Sequence, residues 1–99
     1  MTYRVRYTNR ARADIKRFYG FLLDHDTEAA EKAVEVIVRT IGSLKEFPFA
    51  ARKAPGEDPF LRELVIPFGS SGYVALFEIE NATIVTILAI RHQREDDYH

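Results

Sequence analysis

The chain closes on Arg91-His92-Gln93-Arg94, followed by Glu95-Asp96-Asp97 and Tyr98. Together with Arg62, these residues could serve cleavage of an RNA backbone. That reaction needs a base for the 2′-hydroxyl, an acid for the leaving oxygen and cations for the charge growing on phosphorus. His92 would be base or acid, Arg62 and Arg91 would stabilise charge, and Tyr98 would act as acid or stack on a base. The three carboxylates of Glu95, Asp96 and Asp97 beside this cluster oppose the idea, because they repel phosphate. Each residue also has a structural reading. His92 at a strand end serves equally as a hydrogen-bonded imidazole. Arg62 can pair with an acidic neighbour such as Glu78, an exposed contact worth only about 0–1 kcal/mol. Arg91 and Arg94 can pair with Glu95, Asp96 and Asp97, and Tyr98 falls where chain termini fray.

The elements that must position these groups are legible from periodicity. Tyr3, Val5 and Tyr7 alternate with Arg4 and Arg6, the pattern of a half-buried strand. Thr8 or Asn9 then caps a helix whose apolar stripe is Ala11, Ile15, Phe18 and Leu22. Asp24-His25-Asp26 breaks it, with Asp26 capping a second helix striped by Ala30, Ala33, Val34, Ile37, Ile41 and Leu44. The Asp24-His25-Asp26 cluster reads as a capped turn rather than a metal site. Gly42-Ser43 weakens the second helix and Phe47-Pro48 ends it. Two amphipathic helices joined so closely pack as an antiparallel hairpin. Pro48, Pro55, Gly56 and Pro59 make the stretch from Lys45 to Phe60 a long crossing loop, of the kind that carries function.

Three β-rich runs follow, separated by turn residues: Leu64 to Phe68, Tyr73 to Glu80, and Ile84 to Ile90. The expected class is α+β, an antiparallel sheet of about four strands packed on the helical hairpin, in the order β-α-α-β-β-β. The last strand is apolar on both faces, so it lies mid-sheet and is covered on both sides. The hairpin covers one face. A partner protein is one answer for the other.

At 99 residues the chain is expected to form one domain, 1–99. With no cysteine, neither disulfides nor thiolate metal sites are available. A net charge of −1 argues against a general nucleic-acid coat, although Arg4, Arg6, Arg10, Arg12, Lys16 and Arg17 make the first segment basic. No phosphate loop, nucleophile elbow or metal-ligand spacing is present, so no cofactor or metal is expected. The N-terminus lacks the apolar run of a signal peptide and no stretch approaches bilayer-spanning length, so the expected setting is cytoplasmic, away from membranes.

Leu44 to Pro48 at the helix exit, Leu61-Arg62-Glu63-Leu64, Gly72-Tyr73-Val74-Ala75-Leu76-Phe77-Glu78-Ile79 and the closing Ile87-Leu88-Ala89-Ile90-Arg91-His92-Gln93-Arg94 occur in an order that resembles the RelE/ParE toxin family of bacterial type II toxin–antitoxin modules. The resemblance covers essentially the whole chain. It implies a cognate ParD-like antitoxin whose C-terminal segment wraps the toxin, and growth arrest when the toxin is free. RelE-like members cut mRNA on the ribosome with Lys, Arg and Tyr or His residues on the concave side of the sheet. ParE-like members lack that set and poison DNA gyrase. Ile87-Leu88, His92, Arg94 and Asp96 resemble the ParE side more closely. On this resemblance Arg62, Arg91, His92 and Arg94 are the expected target-binding residues. Phe21 and Leu23 lie off the first helix's stripe. With Tyr19, Phe49 and Phe60 they are the expected antitoxin contacts.

Overall fold

Thr8 marks the change from strand to helix in a computed structural model that describes residues 2–98. The first strand, β1, is Arg4–Tyr7, and helix α1 is Asn9–Leu23. The Thr8 side chain accepts from the Ala11 amide, satisfying one of the free N–H groups at the helix start. Asp26 does the same for α2, Thr27–Gly42, through the Ala29 amide. The Lys45 to Phe60 stretch is less bare than its proline content predicts. One short 3-10 turn, Ser43–Lys45, leads into it, and it holds a second, Pro48–Ala50, and a two-residue strand, β2, Arg52–Lys53. Strands β3 (Leu61–Phe68), β4 (Ser71–Ile79) and β5 (Ile84–His92) complete the chain.

The α+β class and the element order follow the expectation, and the sheet is richer than expected. Among the described residues it has five strands, in the order β1-β5-β4-β3-β2. It is mixed, because β1 runs parallel to β5 while the other pairs are antiparallel. A strand followed by a two-helix crossover returns to the sheet without the reversal that a hairpin imposes, so β1 sits beside the last strand in the parallel sense. The tight turn between β3 and β4 is Gly69-Ser70, with Gly69 at φ +62°. At Gly72 a Cβ would meet the Ile66 carbonyl oxygen at 2.1 Å, so that strand position admits only glycine.

Period-2 alternation sorts the strands into two faces. Leu64, Ile66, Tyr73, Ala75, Phe77, Ile79, Val85, Ile87 and Ile90 pack under Ala11, Phe18, Ala33, Ile37, Ile41 and Leu44 of the helical layer. A bulge between Leu76 and Phe77 and their β5 partners lets Ile87 and Ile90 both face this core. Where β1 stops, α1 takes over its role along β5. Thr8 Oγ1 donates to the Leu88 carbonyl at 2.9 Å, and the Ile90 amide donates to Asp14 Oδ2 at 2.8 Å.

Candidate functional site

The other face of the sheet carries Glu63 and Val65 on β3, Val74 and Leu76 on β4, and Ala89 and Arg91 on β5. Among the described residues no helix lies over it. Glu63 sits on β3 beside the edge strand β2, with a side chain only 8% exposed. Arg52 Nε on β2 donates to Glu63 Oε1 at 3.1 Å, and the Tyr98 hydroxyl donates to Oε2 at 2.7 Å. Arg91 reaches Oε2 at 3.9 Å, places its guanidinium over the Tyr98 ring and donates to the Glu95 carbonyl at 2.8 Å. The tail therefore returns across the open face, and Tyr98 is anchored rather than frayed. Val74, the cross-strand partner of Arg91, is only 2% exposed as a result. Part of the surface expected to need a second protein is thus covered by the chain itself.

This arrangement sets the proton on Tyr98. Burial, then the hydrogen bond and charge of Glu63, hold its hydroxyl protonated well above the ordinary value of 10.0, against a smaller opposing effect of Arg91. The phenol is a fixed donor at neutral pH and a poor proton shuttle.

His92 lies on the opposite, helix-facing side. It opposes Tyr73 across the β4–β5 pair and meets its ring edge-on, 5.6 Å between centroids. Its Nδ1 accepts from the Arg94 amide at 3.1 Å, which leaves the hydrogen on Nε2 to donate to Ser71 Oγ at 3.2 Å. Both ring nitrogens are in use. The His92 amide donates to Glu95 Oε1 at 2.8 Å, and that carboxylate also meets Arg17 at 3.5 Å.

Arg62 is on the helix-facing side too, opposite Phe77. It does not pair with Glu78. Its guanidinium donates to the carbonyls of Pro59, Phe49 and Ala51, at 2.8, 3.3 and 2.9 Å, and lies over the Phe49 ring. Arg62 is therefore the clasp of the crossing loop. Phe77 and Tyr73 are separated by roughly 13 Å of strand, so Arg62 and His92 are far apart on one face. Arg91 and Tyr98 share the other. The four residues are not brought together as one site. The Arg94 guanidinium makes no ion pair among the described residues, and Arg91 binds a backbone carbonyl, not a tail carboxylate.

Residues 5–97 match the family model of the ParE toxin of the type II toxin–antitoxin system parDE. The chain belongs to the ParE/RelE toxin family. Toxin RelE1 of Caulobacter vibrioides is 31% identical over 84 residues, which span 85% of this chain and 87% of that protein. Toxin RelE3 of the same organism is 30% identical over 86 residues, 87% of this chain and 89% of that one. A solved chain of the chromosomal ParDE toxin–antitoxin system from P. aeruginosa superimposes with a TM-score of 0.75 at 25% identity, covering 92% and 96% of the two chains. The toxin–antitoxin complex RelBE2 from Mycobacterium tuberculosis shares the fold, with a TM-score of 0.64 at 22% identity over 94% and 100%.

On this ParE/RelE fold the expected antitoxin contacts fall in three places. Phe21 is 69% exposed and borders a cleft of about 390 Å³ lined by Arg17, Phe18, His92, Arg94 and Glu95. Leu23, also exposed, ends α1. Tyr19 lines a separate groove with Ile15 and Lys16 of α1 and Glu31 and Val34 of α2. Phe49 and Phe60 stack edge to face, 6.2 Å apart, beside a cleft of about 360 Å³ with Tyr3 and Ile79. That cleft is at the far end of β4 from Tyr73 and His92.

Glu63, Arg52 and Asp14 escaped the sequence reading. For Glu63 a signal existed. Strict alternation puts Arg62 with Leu64, Ile66 and Phe68, and hence Glu63 on the face of Arg91. No comparable signal marks Asp14, which looks like any polar position on a surface helix until β1 stops short of Ile90. Among the described residues no His, Cys, Asp and Glu cluster has the makings of a metal site, and no helix is long and apolar enough to cross a membrane.

Proposed function

We propose that this ParE/RelE-family toxin is ParE-like: a cytoplasmic single-domain protein that inhibits DNA gyrase by binding, without catalysis of its own, and is neutralised by a cognate ParD-like antitoxin. The observation that carries this reading is the state of Glu63. A buried carboxylate on the open face engages Arg52, Arg91 and Tyr98, the groups that a nuclease would turn toward phosphate. His92 has both ring nitrogens engaged and faces the helices. His92 thus has no free ring nitrogen to act as a base, and the arginines that line the cleft on the open face, Arg52 and Arg91, are held by Glu63 rather than offered to phosphate. Arg94, just past the end of β5 and with no ion pair to its guanidinium among the described residues, is the best placed of the expected target-binding residues. Arg91 and His92 support it from within, and Arg62 holds the crossing loop.

The antitoxin is read as covering the exposed apolar side chains, Phe21 and Leu23 at one end and Phe49 and Phe60 at the other, with Tyr19 between the helices. Such anchors suit an amphipathic segment laid in grooves. The toxin–antitoxin assemblies among the structural relatives support this partner. Gyrase supercoiling and DNA-cleavage assays with purified toxin test the target. Inhibition, relieved by antitoxin and weakened by Arg94→Glu, is the expected result; unaffected gyrase at micromolar toxin refutes it.

The names of the Caulobacter relatives favour one alternative, a RelE-like endoribonuclease acting on mRNA in the ribosome. It requires Arg91 and Tyr98 to leave Glu63 on the ribosome. Codon-dependent cleavage in a translation extract, lost in Arg91→Ala, would establish it, and an extract with intact mRNA dismisses it.

A further inference from the structure

The two edges of the sheet are finished differently. On the β3 side, β2 pairs with Arg62 and Glu63, and the Ala54 amide donates to the Leu61 carbonyl at 2.9 Å. Further along that edge Pro67 has no N–H to offer. On the other side, Thr8 and Asp14 occupy the part of β5 that β1 does not reach. Apart from the single position at Val65 on β3, the outer edge of β1 is what remains among the described residues.

Arg4 donates its amide to the Thr83 carbonyl at 2.7 Å and Thr8 to the Ile87 carbonyl at 3.0 Å. Alternation then turns the amides of Tyr3, Val5 and Tyr7 outward. The Lys45 carbonyl meets Tyr3 at 2.6 Å, but no partner reaches the Val5 or Tyr7 amides among the described residues. A cleft of about 460 Å³ opens beside this edge, on the sheet face that carries Arg4, Arg6 and, on β5, Thr86, and extends to Thr8 and Arg12. Arg6 is balanced by Glu80 at 3.1 Å, whereas Arg4 and Arg12 make no ion pair among the described residues. The surface therefore offers unpaired strand backbone flanked by uncompensated positive charge.

We propose that the outer edge of β1 takes up an extended, acidic segment of a second polypeptide as a sixth strand. Its backbone bonds the Val5 and Tyr7 amides and its carboxylates face Arg4 and Arg12. Charge decides the occupant. A second copy of this chain would set Arg4 and Arg6 against their own duplicates, and edge charges of this kind deter self-pairing. The same charges favour a carboxylate-bearing strand. This goes beyond the gyrase reading and does not depend on it.

The test is an NMR titration of the full-length, isotope-labelled chain at low ionic strength. The probe is the blocked peptide acetyl-Glu-Val-Glu-Val-Glu-amide, and its lysine counterpart is the control. Shifts and slowed exchange centred on the Val5 and Tyr7 amides are expected from the acidic peptide alone. The Arg4→Glu/Arg12→Glu variant should bind it about tenfold or more weakly. Arg4→Gln, milder and at an exposed position, should lose part of the affinity. The proposal falls if the β1 amides do not respond, if the lysine peptide binds equally well, or if charge reversal leaves affinity unchanged. It falls too if a short DNA duplex displaces the peptide from those amides, which would assign the surface to phosphate. Neither gyrase nor antitoxin enters the titration, so its failure leaves the proposed target untouched.

Discussion

Across the same three strands, β3, β4 and β5, the helix-covered face is closed by Ile66, Tyr73, Phe77, Ile87 and Ile90, while the open face is organised by Glu63, Arg52, Arg91 and Tyr98. The first face works by area. Burial of apolar side chains is non-directional and sums over many contacts, so no single residue determines its character. The second works by satisfaction of one buried carboxylate, and its character changes with one atom. The fold's stability therefore concentrates under the helices, and recognition is set on the face that adds little stability.

The largest effect should come from the apolar side. Phe77→Ala removes a fully buried ring at the sheet's centre and should cost about 3–5 kcal/mol. Against the roughly 5–15 kcal/mol that holds a small domain folded, that leaves a marginal protein. Urea denaturation measures it directly. A cost below that of Glu63→Gln would reverse the comparison between faces.

Asp14 belongs to neither face but ties α1 to the bare stretch of β5. Asp14→Ala orphans the Ile90 amide and should cost about 1.5–3 kcal/mol, the range of a hydrogen bond to a charged group. Asp14→Asn, whose amide oxygen still accepts, should recover part of it. Faster hydrogen exchange at Ile90 would localise the loss.

Glu63→Gln keeps an acceptor for Tyr98 but removes the charge shared by Arg52 and Arg91. Because Arg52 is half exposed, the expected cost is about 1–2 kcal/mol, between that of a surface pair and a charged hydrogen bond. The variant also sharpens the functional comparison. If the open face were a masked nuclease site, releasing its arginines would yield mRNA cleavage; under the gyrase reading none appears.

What the sequence disclosed follows the same division between area and individual atoms. The helix stripes, the Asp26 cap and Thr8 as one of two candidates for the first cap were readable, because periodicity and capping are local. The parallel docking of β1 was not, since partner choice depends on where the two-helix crossover returns the chain. Reading Arg62, Arg91 and His92 as one cluster failed for a simpler reason. Neighbours along a strand point to opposite faces, so Arg91 and His92 are separated by the sheet itself. The anchoring of Tyr98 to Glu63 spans 35 positions, and no pattern of nearby residues encodes it.

The smallest effect is the most diagnostic of the open face. Tyr98→Phe removes one hydroxyl and should cost about 0.5–1.5 kcal/mol at neutral pH. Its signature is the dependence on pH. Tyr98 holds its proton more tightly in the folded chain than in the unfolded one, where the ordinary value of 10.0 applies. The folded state thus binds more protons above that value, and stability falls as pH rises. The contribution is complete below pH 10.0 and is lost as pH climbs through the raised folded value. Urea midpoints of the parent and Tyr98→Phe chains should differ by a constant amount through neutral pH and converge in alkali, as ionisation sets a phenolate against the Glu63 carboxylate. A constant gap across the alkaline range would mean that the tail leaves Glu63 in solution. The open face would then present Arg91 to the solvent, and the case against a phosphate-binding surface would lose its main support.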